Sequence, residues 1–358
     1  MTRKEYLIRQ KQEGRHVFGV FPAQYPKEIF WAMNVVPAEI WDPPLEITAA
    51  HAHLQPYICS VVKLGLELIL QGKCNFVDGF LFPHTCDSIQ NMASVIYDYI
   101  NAQRPCYFFY HPKEPYGNAA RDYYLEQLKR LVKSLETQCG PLDMDIFKQR
   151  VEQGQQISRL FRELYDLRAR GELTLSNEGF YSVVRLGEYL FPDDLIQELE
   201  SSLARNTRQE KKEDTSVILS GVLPNPPEIL TLLDDLDIRV AHDDFLIGSR
   251  RLLVPPSHLA DPFTQLTESY FAMPPCSTRG SSISRRKEYL FRLIDDTGAK
   301  GLIFNVVKFC EPEWFDIPNL IEELRKKEVP SLVLDTELNQ GLSGQLKTRI
   351  EAFIEMIS

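Results

Sequence analysis

Short apolar runs alternate with amphipathic segments in the first third of the chain, and this alternation predicts strands and helices in turn. Apolar runs rich in valine and phenylalanine are typical of buried strands, and apolar residues at helical spacing are typical of helices. The predicted strands are 16–22, 35–41, 75–83 and 105–111, and the predicted helices are 26–34, 59–72 and 88–100. This β-α-β-α order indicates a mostly parallel sheet with helices on both faces.

The middle of the chain, residues 117–206, holds few strand-like runs and repeats apolar residues at helical spacing. One such series is Tyr124, Leu128, Leu131 and Leu135. Several long helices are therefore expected here. The stretch 205–214 is nearly all polar and marks a linker or a surface loop.

The last third of the chain returns to the alternating pattern. The predicted strands are 215–223, 238–245, 300–309 and 329–335, and the predicted helices are 226–236, 284–298, 317–328 and 344–357. The segment between 245 and 284 reads as rich in loops. We therefore expect an N-terminal α/β domain over 1–140, a helical connecting segment over 141–214 and a C-terminal α/β domain over 215–358.

Composition and charge narrow the class of protein. The chain has 358 residues, 44% hydrophobic and 25% charged, which is ordinary for a globular protein. Lys and Arg number 40 against 50 Asp and Glu, a net charge of −10, which argues against nucleic-acid binding. The chain contains no long apolar run that predicts a membrane span. The charged N-terminus lacks an apolar signal core, so we expect a cytoplasmic protein.

Seven cysteines are spread along the chain, an odd number that does not suit a secreted disulfide framework. Three of them occupy special places. Cys86 and Cys310 each directly follow a predicted strand, and Cys59 opens a predicted helix. Functional groups collect at the carboxyl ends of strands in open α/β sheets, and a helix N-terminus favours the thiolate form of cysteine.

If the two domains face each other, the three thiolates can converge in the cleft between them. Such a set suggests an iron–sulfur cluster or zinc. The chain has no Cys-x-x-Cys pair, which argues against a structural zinc site. On the pattern alone the alternative stays open that the cysteines are buried small residues. The chain also lacks the glycine-rich motifs for dinucleotides and for ATP, and the Gly-x-Ser-x-Gly elbow of α/β-hydrolases.

Several segments resemble the 2-hydroxyacyl-CoA dehydratase family, which also contains the ATP-dependent benzoyl-CoA reductase subunits. The resemblance runs nearly end to end. The segments that carry it are FPAQYPKEIFWAMNVVPAEIW, PYICSVVKLGLELIL around Cys59, FVDGFLFPHTCDSIQNM around Cys86, GLIFNVVKFCEPEWFDIPNL around Cys310 and LVLDTELNQGLSGQLKTRIEAFIEM. PHTCDS and KFCEPE are specific in this combination.

The resemblance implies two flavodoxin-like, doubly wound α/β domains with a [4Fe–4S] cluster in the cleft between them. By motif, Cys59, Cys86 and Cys310 would be its cysteine ligands. It further implies a dimer with a related catalytic subunit, a separate iron–sulfur ATPase activator that injects one electron, and an acyl-CoA substrate. The reaction is either radical dehydration of a 2-hydroxyacyl-CoA through a ketyl, or reduction of an aromatic acyl-CoA such as benzoyl-CoA.

Two rival functions remain open on the sequence. One is a homodimeric reductase of small molecules with a double-cubane cluster, to which Cys276 or Cys74 would contribute. The other is a non-catalytic subunit that relays electrons to, or supports, a catalytic sister chain. The sequence does not separate the possible substrates, because acyl specificity depends on the shape of a cavity.

Other side chains are candidates because of their position in these motifs. His84 lies two residues before Cys86 and is the candidate catalytic residue, as a donor at the cluster. Gln24 and Tyr25 follow the first strand, where they would bind substrate. Asp87 is expected to cap the following helix. The pairs Arg250–Arg251 and Arg285–Arg286 suit CoA phosphates, a solvated helix face or an acidic partner.

Overall fold

The computed structural model describes residues 1–100, 103–207, 214–257 and 259–358. The strands are β1 (His16–Val20), β2 (Val35–Glu39), β3 (Gly79–Pro83), β4 (Cys106–Phe109), β5 (Ser216–Gly221), β6 (Arg239–Phe245), β7 (Gly301–Val307) and β8 (Ser331–Thr336). Each of them falls within a stretch predicted as a strand or ends one residue beyond it, so the predicted alternation is confirmed.

The helices follow the predicted order with additions. They are α1 (Arg3–Gln12), α2 (Lys27–Ala32), α3 (Ser60–Leu70), α4 (Asp87–Ser94), α5 (Ala120–Cys139), α6 (Met144–Arg170), α7 (Asn177–Leu186), α8 (Pro192–Asn206), α9 (Glu228–Asp235), α10 (Ser249–Leu252), α11 (Pro262–Ala272), α12 (Ile283–Thr297), α13 (Glu311–Lys326) and α14 (Gly344–Ile357). Short 3₁₀ turns lie at Ala49–Ala52 and Ser277–Arg279, and a π-helical stretch follows α4 at Val95–Ile100. No helix among the described residues is both long and apolar enough to cross a membrane.

The chain forms two compact units whose segments interleave along the sequence. Unit one comprises Met1–Ser158, Leu186–Glu198 and Val254–Met273, and unit two comprises Arg159–Arg185, Leu199–Leu253 and Pro274–Ser358. The division at 140 and 214 made from the sequence stays a prediction. Most of the predicted linker 205–214 lies outside the described residues.

Each unit contains a parallel four-stranded sheet within the described residues. In unit one the order is β2-β1-β3-β4, and in unit two it is β6-β5-β7-β8. Both orders place the first strand of the unit between its second and third, as in a flavodoxin-like sheet. The carboxyl ends of the first and third strands, where the chain leaves in opposite directions, form the crevice that binds ligands in such sheets. The α/β fold expected from the sequence is therefore confirmed for each unit.

Close packing leaves no room for a Cβ at one glycine in each unit. In unit two, Gly221 has φ +147°, and a Cβ there would lie 2.1 Å from the main-chain oxygen of Asn305 on β7. In unit one, a Cβ on Gly65 of α3 would lie 2.4 Å from the ring of Phe21. Both sites need glycine because protein interiors have no room for an extra methyl group.

The predicted start of one helix is wrong. We expected a helix over 317–328 opening near Pro318, but α13 begins at Glu311, directly after Cys310. Pro312 occupies the first turn, where the missing N–H costs nothing, and Pro318 lies inside the helix. Because proline is unfavourable inside a helix, the sequence pattern placed the start of the helix near Pro318 and not at Pro312.

The sequence pattern missed α1, α11 and the short helix α10, and the start signals of the first two can be seen in the structure. In α1, Thr2 accepts a hydrogen bond from the Glu5 N–H and donates its own N–H to the Glu5 carboxylate, which is a capping box. In the segment read as rich in loops, Asp261 caps α11 by accepting from the Thr264 N–H, with Pro262 at the first position. Both start signals are local. The hydrophobic pattern did not reveal the helices, because α1 is mostly charged and α11 has only a short apolar face.

Candidate metal centre

Cys86 is the N-cap residue of α4, in the loop that leaves β3. Burial raises the pKa of its thiol above the ordinary value, whereas the main-chain N–H groups of Ile89 and Ser88 and the ammonium group of Lys113 favour the thiolate. These N–H groups belong to the first turn of the helix, whose dipole attracts negative charge. Burial therefore disfavours a free thiolate at Cys86, whereas the N–H groups of the helix can donate hydrogen bonds to a thiolate that is bound to a metal.

Cys59 is the N-cap residue of α3, the helix that leads into β3, and it is buried. Burial and, second, the nearby Cys86 raise the pKa of the Cys59 thiol to about 12, against the N–H groups of Val62 and Val61. The effect of the Cys86 thiol on the pKa of Cys59 indicates that the two residues are neighbours in unit one, although they are distant in sequence.

Cys310 is the N-cap residue of α13 in unit two, in the turn that leaves β7. Its N–H donates to the carbonyl of Val307 at 2.9 Å. The turn places Phe309 at φ +63°, a left-handed conformation that non-glycine residues seldom adopt. Since β3 and β7 are the third strands of their units, Cys86 and Cys310 occupy equivalent positions in the two sheets.

Side chains that the sequence analysis missed hold the loop before Cys86. The Thr85 hydroxyl donates to the carbonyl of Pro22 at 2.6 Å and accepts from the N–H of Ala23 at 2.9 Å. Lys113, which follows β4, donates to the carbonyls of His84 and Thr85, each at 2.9 Å. Its position after a strand end was the signal that could have identified it.

His84 lies in the same loop with its side chain 28% exposed. Its ring Nε2 is 3.9 Å from a carboxylate oxygen of Asp87, and its ring packs edge-on to that of Tyr110. Burial and the Lys113 ammonium lower the pKa of His84, and Asp87 opposes them. The expectation that Asp87 caps α4 is wrong, because Asp87 is the first helical residue and Cys86 holds the cap position.

Gln24 and Tyr25 follow β1, as expected, and both are buried. The Tyr25 hydroxyl donates to the Glu39 carboxylate at 3.0 Å, and its ring packs edge-on against Phe30 in the core of unit one. Glu39 also accepts from the Lys27 ammonium at 2.7 Å. The role of Gln24 and Tyr25 toward a substrate stays a prediction.

The interpretation of two arginines as surface groups is wrong. Arg250 and Arg286 are fully buried, with relative exposures of 0% and 1%, and both pair with Asp244 and Glu313. Cys276, a candidate for a second cluster, is buried beside Arg250, its sulfur 3.8 Å from a guanidinium nitrogen. These arginines are therefore engaged in the interior of unit two and cannot reach CoA phosphates.

Among the residues that the structure describes, no three His, Cys, Asp or Glu side chains are grouped closely enough to hold a metal ion. The neighbouring thiols of Cys59 and Cys86, each at the N-terminus of a helix, nevertheless match the donors that iron–sulfur clusters use. Thiolates bind such clusters, and N–H donors to sulfur tune them. The residues of unit one therefore fit part of the ligand set of a cluster.

Comparison with known proteins identifies the family. Residues 22–357 match the family model described as "2-hydroxyglutaryl-CoA dehydratase, D-component". The chain is 24% identical to the (R)-2-hydroxyglutaryl-CoA dehydratase, subunit beta, of Acidaminococcus fermentans, over 99% of this chain and 96% of that protein. It is 23% identical to the (R)-phenyllactyl-CoA dehydratase beta subunit of Clostridium sporogenes, over 99% and 95%.

A relative with a different chemistry is equally similar. The chain is 24% identical to a subunit of the benzoyl-CoA reductase of Thauera aromatica, over 98% of this chain and 92% of that protein. These relatives are named as subunits of dehydratases and of a reductase, which agrees with the resemblance drawn from the motifs. The chain belongs to the 2-hydroxyglutaryl-CoA dehydratase D-component family, a family of enzyme subunits.

Proposed function

We propose that this chain is a [4Fe–4S] subunit of an oxygen-sensitive acyl-CoA enzyme that either dehydrates a 2-hydroxyacyl-CoA or reduces an aromatic acyl-CoA. Cys59, Cys86 and Cys310 are the proposed cysteine ligands. When bound, the cluster would supply one-electron reduction, which ordinary acid–base groups cannot perform. The family and the names of its members support the class of reaction and leave both substrate types open.

One observation carries the ligand assignment: each of these cysteines is the N-cap residue of an α-helix. Cys59 and Cys86 are neighbours in unit one, and Cys310 holds in unit two the position that Cys86 holds in unit one. A helix N-terminus stabilises thiolate charge and donates hydrogen bonds to sulfur. The other four cysteines, all of them among the described residues, do not begin an α-helix.

The chain itself would keep the site dry. Phe80, Leu81 and Phe82 of β3 lead to Cys86 and are buried, as are Val306 and Val307 of β7. Burial matters because solvent exposure and hydrogen bonds to sulfur set the potential of a cluster. Lys113 and Thr85 would hold the Cys86 loop in position through their contacts with main-chain atoms.

The other candidate residues enter the proposal through their places in unit one. His84 would donate a hydrogen bond at the site, since it lies in the Cys86 loop and keeps part of its ring exposed. Gln24 and Tyr25 lie in the loop after β1, at the crevice between the first and third strands, where we propose that they position substrate.

The proposal includes partners. Relatives named as beta subunits of dehydratases, and one named as a subunit of a reductase, support assembly with a related catalytic subunit. We further propose an iron–sulfur ATPase activator that delivers the electron, and a cytoplasmic location. Because these names say only that the relatives are subunits, the second candidate is a chain that relays electrons to a catalytic sister subunit.

Iron and sulfide counting after anaerobic purification tests the ligand assignment. We expect about four irons per chain for a single cubane. Eight would instead indicate the double-cubane reductase, and none would refute the cluster. Cys86→Ala should lower the iron content, whereas Cys106→Ala, a cysteine inside β4, should not. Iron that is unchanged in Cys86→Ala would show that the assignment is wrong.

An activity screen tests the reaction. The purified chain with its sister subunit, an ATP-driven activator and a strong reductant is offered a panel of 2-hydroxyacyl-CoA and aromatic acyl-CoA thioesters. Loss of the hydroxyl group supports a dehydratase, and reduction of the ring supports a reductase. A chain that carries four irons but whose Cys86→Ala variant leaves turnover by the complex unchanged would be neither a catalytic subunit nor a relay.

A further inference from the structure

A group of buried charges lies at the carboxyl edge of the second sheet, in unit two. Arg250 donates to both carboxylate oxygens of Asp244, at 2.7 and 2.8 Å, in a bidentate pair. The same guanidinium donates to both oxygens of Glu313, one of them at 3.3 Å. All of these side chains are at most 1% exposed. We call Arg250, Arg286, Asp244 and Glu313 the buried ion network.

Further donors complete the network from neighbouring elements. Arg286 of α12 donates to Asp244 at 3.1 Å and to Glu313 at 3.5 Å. The Ser277 hydroxyl, in a 3₁₀ turn, donates to Glu313 at 2.6 Å. Groups on α10, α12 and a 3₁₀ turn therefore donate to both oxygens of one carboxylate of α13. Asp244 of β6 accepts from the two arginines of this group.

Glu313 stands in the first turn of α13, three residues after Cys310. The N–H groups of Glu313 and Trp314 donate to the Cys310 carbonyl, at 3.1 and 3.0 Å. On the other side of Cys310 the backbone passes through Phe309 at φ +63°. On one side of Cys310 the main chain therefore has an unfavourable conformation, and on the other side the network contacts the first turn of α13.

The chemistry of the network suggests a role beyond stability. Taking several charges out of water is costly, and well-packed apolar residues often stabilise a fold as much or more. Buried ion pairs have strict geometry, however, because a bidentate guanidinium accepts a carboxylate in few orientations. A network of this kind is therefore better suited to fixing the direction of the main chain that carries it than to filling space in the core.

We propose that the buried ion network is a positioning device for Cys310, in which Glu313, clamped by Arg250 and Arg286, orients the first turn of α13 and with it the thiol that would bind iron. The inference rests on the proposed function, since it concerns the direction of a proposed ligand. Glu313 does not touch the metal in this proposal and acts only through Cys310 and its helix.

The test compares Glu313→Gln with Glu322→Gln in the anaerobically reconstituted full-length chain. Glu322 lies on the same helix but is 63% exposed and pairs with Lys326 one turn further along, so it serves as a matched control. Two properties are measured: the rate at which a chelator removes iron, and the electron paramagnetic resonance spectrum of the reduced protein. A purely structural role would leave that spectrum unchanged in the folded fraction.

We expect Glu313→Gln to release iron at least tenfold faster than the unchanged chain and to alter the spectrum, while Glu322→Gln does neither. Ser277→Ala removes the hydrogen bond to Glu313 and the 3.5 Å hydrogen bond from Arg250 without unpairing a charge, and a smaller increase of about threefold is expected. If Glu313→Gln does not fold, Ser277→Ala decides. Release rates and spectra equal to those of the unchanged chain in these variants would overturn the inference and leave the proposed function standing.

A second measurement separates the two proposals. Hydrogen exchange of the peptide that spans 308–316 is followed in the iron-free protein, where the proposed function plays no part. Faster exchange in Glu313→Gln than in Glu322→Gln supports control of the first turn by the network, and equal exchange overturns it. An unchanged chain that binds no iron would refute the proposed function, and the role assigned to Cys310 would fall with it.

Discussion

Glu67 on α3 provides a sharp test of how the loop before the candidate site is held. The side chain is buried, and its carboxylate accepts hydrogen bonds from the N–H of Ala50 at 2.8 Å, from the N–H and hydroxyl of Thr48 at 3.0 and 2.9 Å, and from Gln71 at 2.7 Å. Burial alone would raise the pKa of Glu67, but these donors outweigh it and lower the pKa from 4.5 to about 2.

The lowered pKa fixes how stability depends on pH. A carboxyl with a lower pKa in the folded state stabilises the fold above its unfolded pKa, and the contribution is lost as pH falls toward the folded pKa. A difference of about 2.5 at about 1.36 kcal/mol per pKa unit gives about 3 kcal/mol at pH 7. About 2 kcal/mol of it should disappear between pH 7 and pH 3, because that interval spans most of the titration.

Glu67→Gln keeps the shape of the side chain and removes the charge. It should lower the free energy of unfolding of unit one by about 3 kcal/mol at pH 7, and the loss should shrink by about 2 kcal/mol at pH 3. Urea unfolding followed by tryptophan fluorescence measures this in a Trp314→Phe background, since the remaining tryptophans, Trp31 and Trp41, belong to unit one.

The control for this prediction is Glu46→Gln, at an exposed position in the segment before α3. A surface substitution of this kind should stay within about 0.5 kcal/mol at either pH. If the cost of Glu67→Gln were the same at pH 7 and pH 3, the charge of Glu67 would not be what the Thr48 and Ala50 donors stabilise, and the reasoning would be refuted.

Two further substitutions test the crevice in each unit. Gly221→Ala should destabilise unit two by roughly 2–4 kcal/mol in thermal unfolding, because φ is +147° and the new Cβ would meet the Asn305 oxygen. The control Gly344→Ala should not destabilise it, since a Cβ there meets nothing within 4 Å. Equal melting temperatures of the two variants would contradict the packing argument. Lys113→Met removes the donors to the Cys86 loop and should speed the loss of iron to a chelator roughly tenfold. The control Lys133→Met, on the exposed surface of α5, should leave this rate unchanged. Equal rates in the two variants would show that Lys113 does not support the site.

The strands could be predicted because their apolar runs are local. The apolar run 300–309 contains β7, and the apolar run 215–223 contains β5. A strand in a parallel sheet is buried on both faces, so its sequence is apolar nearly throughout. Strand order is not local. That β5 lies between β6 and β7 follows from pairing across the sheet, and the division of the chain into interleaved units depends on contacts distant in sequence.

The candidate cysteines could be predicted for the same reason: strand ends and helix starts are local signals. The contacts that support these cysteines could not be predicted from the sequence. The pattern assigns no role to Asp244 and Glu313. It offers CoA phosphates, a solvated helix face or an acidic partner for Arg250 and Arg286, because nothing in the neighbouring sequence shows that the fold buries these charges against one another. Lys113 likewise follows a strand, but its contact with the Cys86 loop appears only when β4 pairs with β3.

The equivalence of Cys86 and Cys310 ties these results together. Their flanking sequences, PHTCDS and KFCEPE, share little, yet both cysteines cap the helix that leaves the third strand of a sheet of the same order. The two units also secure these cysteines differently: neutral loop contacts and Lys113 hold the Cys86 loop, whereas buried ion pairs hold the helix after Cys310. A helix N-terminus directs several N–H groups at one thiolate, which partly offsets the negative charge that a thiolate-bound cluster accumulates on reduction. Two unlike sequences thus place a cysteine at the same helix N-terminus, as expected if both thiolates must be stabilised. This favours a ligand role for Cys86 and Cys310 over the simple burial of two small side chains.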